Sequence, residues 1–320
     1  MKPEEIKRKK ILVATLNWGM GHLSRSIALI QRLIKQDNLL YFAGNETQIE
    51  IIKLYFPQIN CFKLDDYPFK FGTNGHFAQD LFKTTRPLYK RFKKESKDCE
   101  KLVNLLKIDL VISDHRYGFK STLTQNIFIT HQINLPVSKW QFPIQILHKR
   151  LMNTFDWIWI PDTIDSRYAG KLSKTKNNTK YIHIGILSRF ELYDTKVNKT
   201  IDSTVIVSGP KELANQFLKS QIDAAIFDKQ KNITIISAIA CNAEQRHLIE
   251  IYHVDNWIEA DKVILKSKKI ISRSGYSTIM DIAHLQCESD LTPTLGQKEQ
   301  EYLFKYWKER TTKEFQKTNT

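Results

Sequence analysis

The stretch ILVATLNWGMGHLSRSIALIQRL sets a histidine, His22, directly behind a Gly-x-Gly turn, Gly19-Met20-Gly21. An apolar run over 11–16 leads into the turn, and Leu23, Ile27, Ile30 and Leu33/Ile34 follow on one helical face. Strand, tight turn and helix N-terminus together form a seat for an anion or a polar ligand, because the first N–H groups of a helix have no partner inside it. At the mouth of that seat the imidazole either takes part in chemistry or caps the helix and bonds a nearby carbonyl.

Two further turns share the pattern. In TVIVSGPKELANQFL, Ser208, Gly209 and Pro210 join a strand to a helix, a phosphate seat or a plain connecting turn. In KKIISRSGYSTIMDIAHL, Ser272, Ser274, Gly275, Ser277 and Thr278 gather hydroxyls at a helix start, and Asp281 follows Ser277 by about one helical turn. Hydroxyls and a carboxylate so placed can hold phosphate oxygens and ribose hydroxyls, or serve as helix caps. Downstream, TPTLGQKEQEYLFKYW supplies Gln297, Glu299, Gln300 and Glu301, partners for sugar hydroxyls or the polar first turn of a C-terminal helix. Asp114, in LVISDHRYG, is one more carboxylate at a strand end.

The elements that must position these residues alternate. Apolar runs at 11–16, 39–43, 109–113, 126–130, 156–160, 181–184, 203–208, 232–237 and 269–272 read as strands, many without polar alternation, as in parallel sheets buried on both faces. Amphipathic segments at 23–36, 46–55, 97–107, 211–221 and 277–285 read as helices, so the chain is α/β. Its 320 residues allow two domains. A polar stretch after DWIWIPD places the boundary within 161–182, giving an expected division into 1–163 and 164–320.

Cys61, Cys99, Cys241 and Cys287 lack CxxC spacing, which argues for reduced thiols and against a zinc knuckle. No apolar run is long enough to span a bilayer, and MKPEEIKRKK carries no signal-peptide core, so a cytoplasmic location is expected. The net charge of +15 suits nucleic acid, an anionic membrane face or anionic metabolites, or is simply a lysine-rich surface. No nucleic-acid-binding motif accompanies it. Basic residues interleave with Phe82, Leu88, Tyr89 and Phe92 over 82–101, and with Trp140, Phe142, Ile146 and Leu147 over 139–153. Such surfaces fit the inner face of an anionic membrane, or a solvated helix face.

Taken in order, these motifs resemble the GT-B glycosyltransferases of the family-28 type, the group of the peptidoglycan lipid-intermediate N-acetylglucosamine transferase, and above all their relatives with a G-x-G-H-x-x-R turn. Here that turn is Gly19 to Arg25, with THQ at 130–132, GILSRF at 185–190, VSGPKE at 207–212, ISRSGYSTIMD at 271–281 and TPTLGQKEQEYL at 292–303. The resemblance implies two Rossmann-like domains with parallel sheets facing across a cleft, the last helix packing back on the first domain. It implies a nucleotide-sugar donor, UDP-linked, as co-substrate, with no other cofactor and no metal. In the donor site it places Asp281 at the ribose, Ser208, Gly209, Ser274 and Gly275 at the phosphates with Ser277 and Thr278 beside them, and Arg189 near the diphosphate. Trp257 and Ile258 fall at the uracil, and Gln297, Gln300 and Glu301 at the donor sugar. The first glycine turn, with Asn17, Gly19, Gly21 and Arg25, would face the acceptor and the donor phosphates. There His22 would be the general base of an inverting transfer and Asp114 would line the acceptor cleft or orient the base. The acceptor stays open, a lipid-linked one among the candidates. A UDP-sugar 2-epimerase and a non-catalytic homologue share the architecture. One segment departs from the pattern: HLQCESDLTPT puts Glu288 and Asp290 where a buried apolar strand is expected.

Overall fold

The structure, a computed structural model, describes residues 1–67, 77–138, 141–176, 178–209, 211–227, 233–237, 249–253 and 256–318. Pro210, Lys139, Trp140 and Cys241, singled out above, lie outside the described residues, as does the side chain of Phe82. The chain divides into two compact units, Met1–Arg189 and Phe190–Thr320.

The first unit holds β1 (Lys10–Thr15), β2 (Leu39–Gly44), β3 (Asn60–Lys63), β4 (Leu110–Asp114), β5 (Gln125–Ile129), β6 (Trp157–Ile160) and β7 (Tyr181–His183). They form one parallel sheet in the order β3-β2-β1-β4-β5-β6-β7. Its helices are α1 (Met20–Ile34), α2 (Glu46–Tyr55), α3 (Phe77–Leu106) and α4 (Phe142–Met152). All of β4, and β1 beyond Lys10, is buried, which is why both read as apolar runs without alternation. The α2 start is fixed locally: the Asn45 side chain accepts from the Gln48 N–H, and the Gln48 side chain accepts from the Asn45 N–H.

The unit boundary falls after Arg189, beyond the expected 163/164. Residues 164–189 carry β7, whose Tyr181–His183 pair with Ile158–Ile160 of β6, so the polar stretch is an excursion that returns to the same sheet.

The second unit holds β8 (Ile201–Val207), α5 (Lys211–Phe227), β9 (Ile233–Ser237), β10 (Ile249–His253), α6 (Trp257–Leu265), β11 (Ser267–Arg273), α7 (Tyr276–Leu285), β12 (Glu288–Thr292) and α8 (Lys298–Thr318). Its sheet is also parallel, in the order β10-β9-β8-β11-β12. Val205 and Ile235 pack with Phe217, Leu218 and Ile222 of α5, whereas Ile236 and Ile270 pack with Ile264 of α6 and Ile282 and Leu285 of α7. Alternate residues of one strand thus feed opposite apolar layers.

Glu288 and Asp290 do enter a strand, β12, but not a buried one. It is the sheet edge, exposed at alternate positions, and Asp290 is 62% exposed and ion-paired with Lys269 on β11. The expectation of burial is corrected by topology, since charges on an edge strand stay hydrated and discourage pairing with another chain.

Candidate functional site

Each sheet reverses its strand order once beside its first strand: between β1 and β4 in the first unit, between β8 and β11 in the second. At such a switch point the turns diverge to opposite faces and leave a crevice at the carboxyl ends of the strands. The three glycine turns singled out from the sequence, and Asp114, stand at these two places.

In the first unit β1 and β4 run in register, with Thr15 opposite Asp114. After β1 the chain turns at Gly19, whose φ of +88° is strained for any side-chain-bearing residue, and α1 begins with no side-chain cap. His22 and Arg25, three residues apart on α1, share a face and reach the end of β4. His22 Nδ1 lies 3.0 Å from Asp114 Oδ1. Arg25 Nε donates to Asp114 Oδ2 at 2.6 Å, and its Nη2 donates to Asp114 Oδ1. Arg25 Nη2 is also 2.7 Å from His22 Nδ1, and its Nη1 is 3.2 Å from His131 Nδ1. Asp114 is 1% exposed and Arg25 2%, whereas His22 keeps 17%.

The electrostatics follow. Burial pushes the Asp114 carboxyl up, but the Arg25 guanidinium and His22 outweigh it and hold the group ionised well below the usual carboxylate range. Burial, then Arg25, lowers the His22 imidazole more than Asp114 raises it, so the ring is neutral at neutral pH. The His115 ring is 5.2 Å from that of His22 and is likewise held neutral, by burial first. Behind it, His148 on α4 donates from Nε2 to the Gln132 carbonyl and accepts from the Tyr117 hydroxyl, each at 2.6 Å.

Thr15 Oγ1 and Asn17 Oδ1, both buried at this turn, have no hydrogen-bond partner. Gly21 falls within the first turn of α1. Arg189 arrives from the far end of the unit and donates from Nη1 to Ser24 Oγ at 2.9 Å, two residues from His22. The structure therefore brings His22, Arg25, Asp114 and Arg189 to one strand-helix junction. Arg25, read from the sequence as part of a ligand loop, spends its guanidinium on Asp114 and two histidines.

At the second switch point Ser208 and Gly209 are exposed after β8, with Gly209 at φ +106° and open space where a Cβ would stand. After β11, Ser274 is fully buried and its hydroxyl donates to the Gln300 carbonyl at 2.8 Å, while Gly275 opens α7 with no side-chain cap. The Gln300 amide oxygen accepts from the Thr294 N–H at 2.9 Å, its nitrogen donates to Gln297 Oε1 at 2.7 Å, and Glu301 accepts from the Gly296 N–H at 3.0 Å. Gln297, Gln300 and Glu301 thus shape the loop between β12 and α8. Ser277 and Thr278 are half-buried on the first turn of α7, and Asp281 is buried one turn further on. Trp257 and Ile258 open α6, the indole buried and the Ile258 side chain half-buried.

Sequence reasoning missed His115, His131, Thr15 and Arg273. His131 lay inside the THQ motif and His115 directly followed Asp114, but neither had a local pattern to mark it. Arg273 ends β11, donates to the Pro293 carbonyl at 2.8 Å and lies 4.4 Å over the Phe217 ring.

The basic-aromatic stretches fall on two helices. On α3, Lys90, Lys93, Lys94 and Lys97 are exposed, Lys93 lies 4.8 Å over the exposed Tyr89 ring, and Phe92 turns inward against Tyr67. On α4 the pattern is inverted: Gln145 and His148 are buried, while Phe142, Ile146 and Leu147 face outward beside Lys149 and Arg150. No helix among the described residues is long and apolar enough to cross a membrane.

No family model matches the chain and no curated protein matches its sequence. Solved structures do. A glycotransferase of kitacinnamycin superposes with a TM-score of 0.60 at 11% identity, covering 93% of this chain and 84% of its own. Arabidopsis thaliana UGT89C1 complexed with UDP-L-rhamnose gives 0.56 at 10%, covering 90% and 80%. Acinetobacter baumannii MurG gives 0.51 at 13%, covering 93% and 82%. The fold is that of the GT-B glycosyltransferases, an α/β architecture with two Rossmann-like parallel sheets.

Proposed function

We propose that the protein is a glycosyltransferase that moves a sugar from a UDP-linked donor to an acceptor hydroxyl with inversion, and that it belongs with the family-28 type. The observation that carries this reading is the convergence of His22 and Asp114, 92 residues apart, at the β1/β4 switch point. In the step, Nε2 of His22 takes the hydroxyl proton of the acceptor while the oxygen forms its bond to the anomeric carbon. The bond to the donor diphosphate breaks, and the diphosphate leaves with the electron pair. The resulting imidazolium is balanced by Asp114, which is ionised across the working pH range.

In this reading the uncapped start of α1, the Thr15 hydroxyl and Arg189 meet the charge that develops on the leaving group, and Asn17 Oδ1 accepts from a ligand hydroxyl. In the second unit Ser208, Gly209, Ser274, Gly275, Ser277 and Thr278 surround the donor phosphates. Asp281 holds the ribose, Trp257 and Ile258 pack on the base, and Gln297, Gln300 and Glu301 meet the sugar. The outward apolar face of α4, with Lys149 and Arg150, rests on an anionic membrane and favours a lipid-linked acceptor.

Calorimetric titration of UDP, with GDP and ADP as controls, into wild type and Asp281→Ala tests the donor assignment. Selective UDP binding that the variant loses supports it, and binding of no nucleotide overturns it. With a UDP-sugar bound, His22→Ala is expected to lower transfer at least about 100-fold with UDP affinity kept within about twofold. Incubation with donor alone separates a 2-epimerase, which would accumulate an epimeric UDP-sugar. Flotation with anionic against neutral vesicles, in wild type and Phe142→Ser/Leu147→Ser, tests the membrane face.

A further inference from the structure

We infer that Arg25 is a positioning residue that sets the tautomer of His22, and with it the readiness of the imidazole to accept a proton. The inference rests on His22 as the base and deepens that reading. A guanidinium carries five N–H donors in one plane and no acceptor. Around Arg25 these donors fan out from Asp114 Oδ2 and Oδ1 through His22 Nδ1 to His131 Nδ1. A ring nitrogen 2.7 Å from an obligate donor turns its lone pair to it, so in the protein without substrate His22 carries its hydrogen on Nε2.

Asp114 is the rival partner. Its Oδ1 stands 3.0 Å from the same Nδ1 and accepts, so it demands the opposite tautomer, with Nδ1–H facing the carboxylate and the Nε2 lone pair open. Only that second form can take the acceptor proton at Nε2. Arg25 weakens the rival twice, by occupying both Asp114 oxygens and by placing a positive charge beside the ring. Base action therefore requires the ring to release its Nε2 proton to water and take one from water at Nδ1, as Nδ1 exchanges Arg25 for Asp114. No ring rotation is needed, because both partners stand at one nitrogen. Arg25 on α1, Asp114 on β4, His115 after it and His131 after β5 face the ring, and Arg189 binds Ser24 on the same helix. Of these only Asp114 favours the charged form.

The direct test is long-range 1H–15N NMR of the imidazoles in the full-length labelled protein, with His22 assigned by its loss in His22→Gln. The expected result is an unprotonated Nδ1 and a protonated Nε2. A protonated Nδ1 in the free protein overturns the inference. In Arg25→Gln the His22 pKa is expected to rise, because the cation beside the ring is gone, and the acid limb of kcat/KM to rise with it. A drop in kcat with neither the tautomer nor the pKa moved would make Arg25 a mere packing residue and also overturns the inference. If Arg25→Gln fails to fold, the wild-type tautomer still decides. Normal turnover by His22→Gln would remove the base role and leave the tautomer result standing, so the two readings fail separately.

Discussion

The two switch points share one topology and differ in almost everything else. Both sheets start from a central strand, turn at a glycine with positive φ (Gly19 and Gly209) and launch a helix. In the first unit the neighbouring strand end is an ionic knot of Asp114 with Arg25 and His22, closed off from solvent except at His22. In the second no such knot stands among the described residues: Ser208 and Gly209 lie exposed, Ser274 is tied down by one hydroxyl bond to α8, and Arg273, the last residue of β11, donates to the Pro293 carbonyl. A parallel sheet decides where a crevice opens, while the side chains decide whether it moves protons or receives a polar ligand.

Breaking the ionic knot should have the largest effect. Asp114→Ala leaves Arg25 buried without its counter-charge, and urea unfolding should show a loss of about 3–5 kcal/mol. A loss below 1 kcal/mol would mean that the knot is hydrated and unlike a buried pair.

Acid sharpens the contrast next. Burial holds the His148 imidazole down to about 4, against ~6.5 in an unfolded chain. The unfolded ring takes up a proton as pH falls below ~6.5, and the folded one only near pH 4, so this contribution is complete above pH 6.5 and is lost on acidification through that window. Its size is on the order of 3 kcal/mol. His22 and His115, also lowered, act in the same direction. Hydrogen exchange at pH 7.5 and 4.5 should show the first unit loosening ahead of the second, and equal loosening would erase the distinction.

At the second switch point smaller costs are expected. Ser274→Ala removes one buried hydroxyl bond, and thermal unfolding should register about 1 kcal/mol. Gly209→Ala should cost about 1–2 kcal/mol through its φ alone, since nothing crowds the new methyl. The smallest effect belongs to the sheet edge. Asp290→Ala should change stability by no more than about 0.5 kcal/mol, because its pair with Lys269 is exposed. A loss of 2 kcal/mol there would restore a buried β12.

Much of this was legible because it is local. The apolar runs that became β1, β4 and β5 are buried on both faces and carry no competing polar pattern. Three strands were missed: β3, read NCFK, is half-exposed, β12, read ESDLT, carries its acids on an edge, and β10, read IEIYH, has its short apolar run interrupted by Glu250. Helix α4 escaped as well, since it buries Gln145 and His148 and exposes its apolar residues, the reverse of an ordinary amphipathic helix. Residues 164–189 read as the start of the second domain because polar loops precede the strand at 181–184; that strand, β7, was legible, but its membership of the first sheet rests on pairing with β6 rather than on its own composition.

The sequence by itself determined the alternation of strands and helices, the glycine turns and the candidates His22 and Asp114, because turn chemistry and apolar periodicity act over a few residues. Only the tertiary structure decided that Asp114 answers His22 and that Arg25 stands between them. That meeting depends on the parallel register of β1 with β4, which sets Thr15 beside Asp114 across nearly a hundred residues of chain, and no local preference encodes it. The same holds for Glu288 and Asp290, whose charges are costly in a central strand and harmless at an edge, a difference that exists only once the order of the sheet is known.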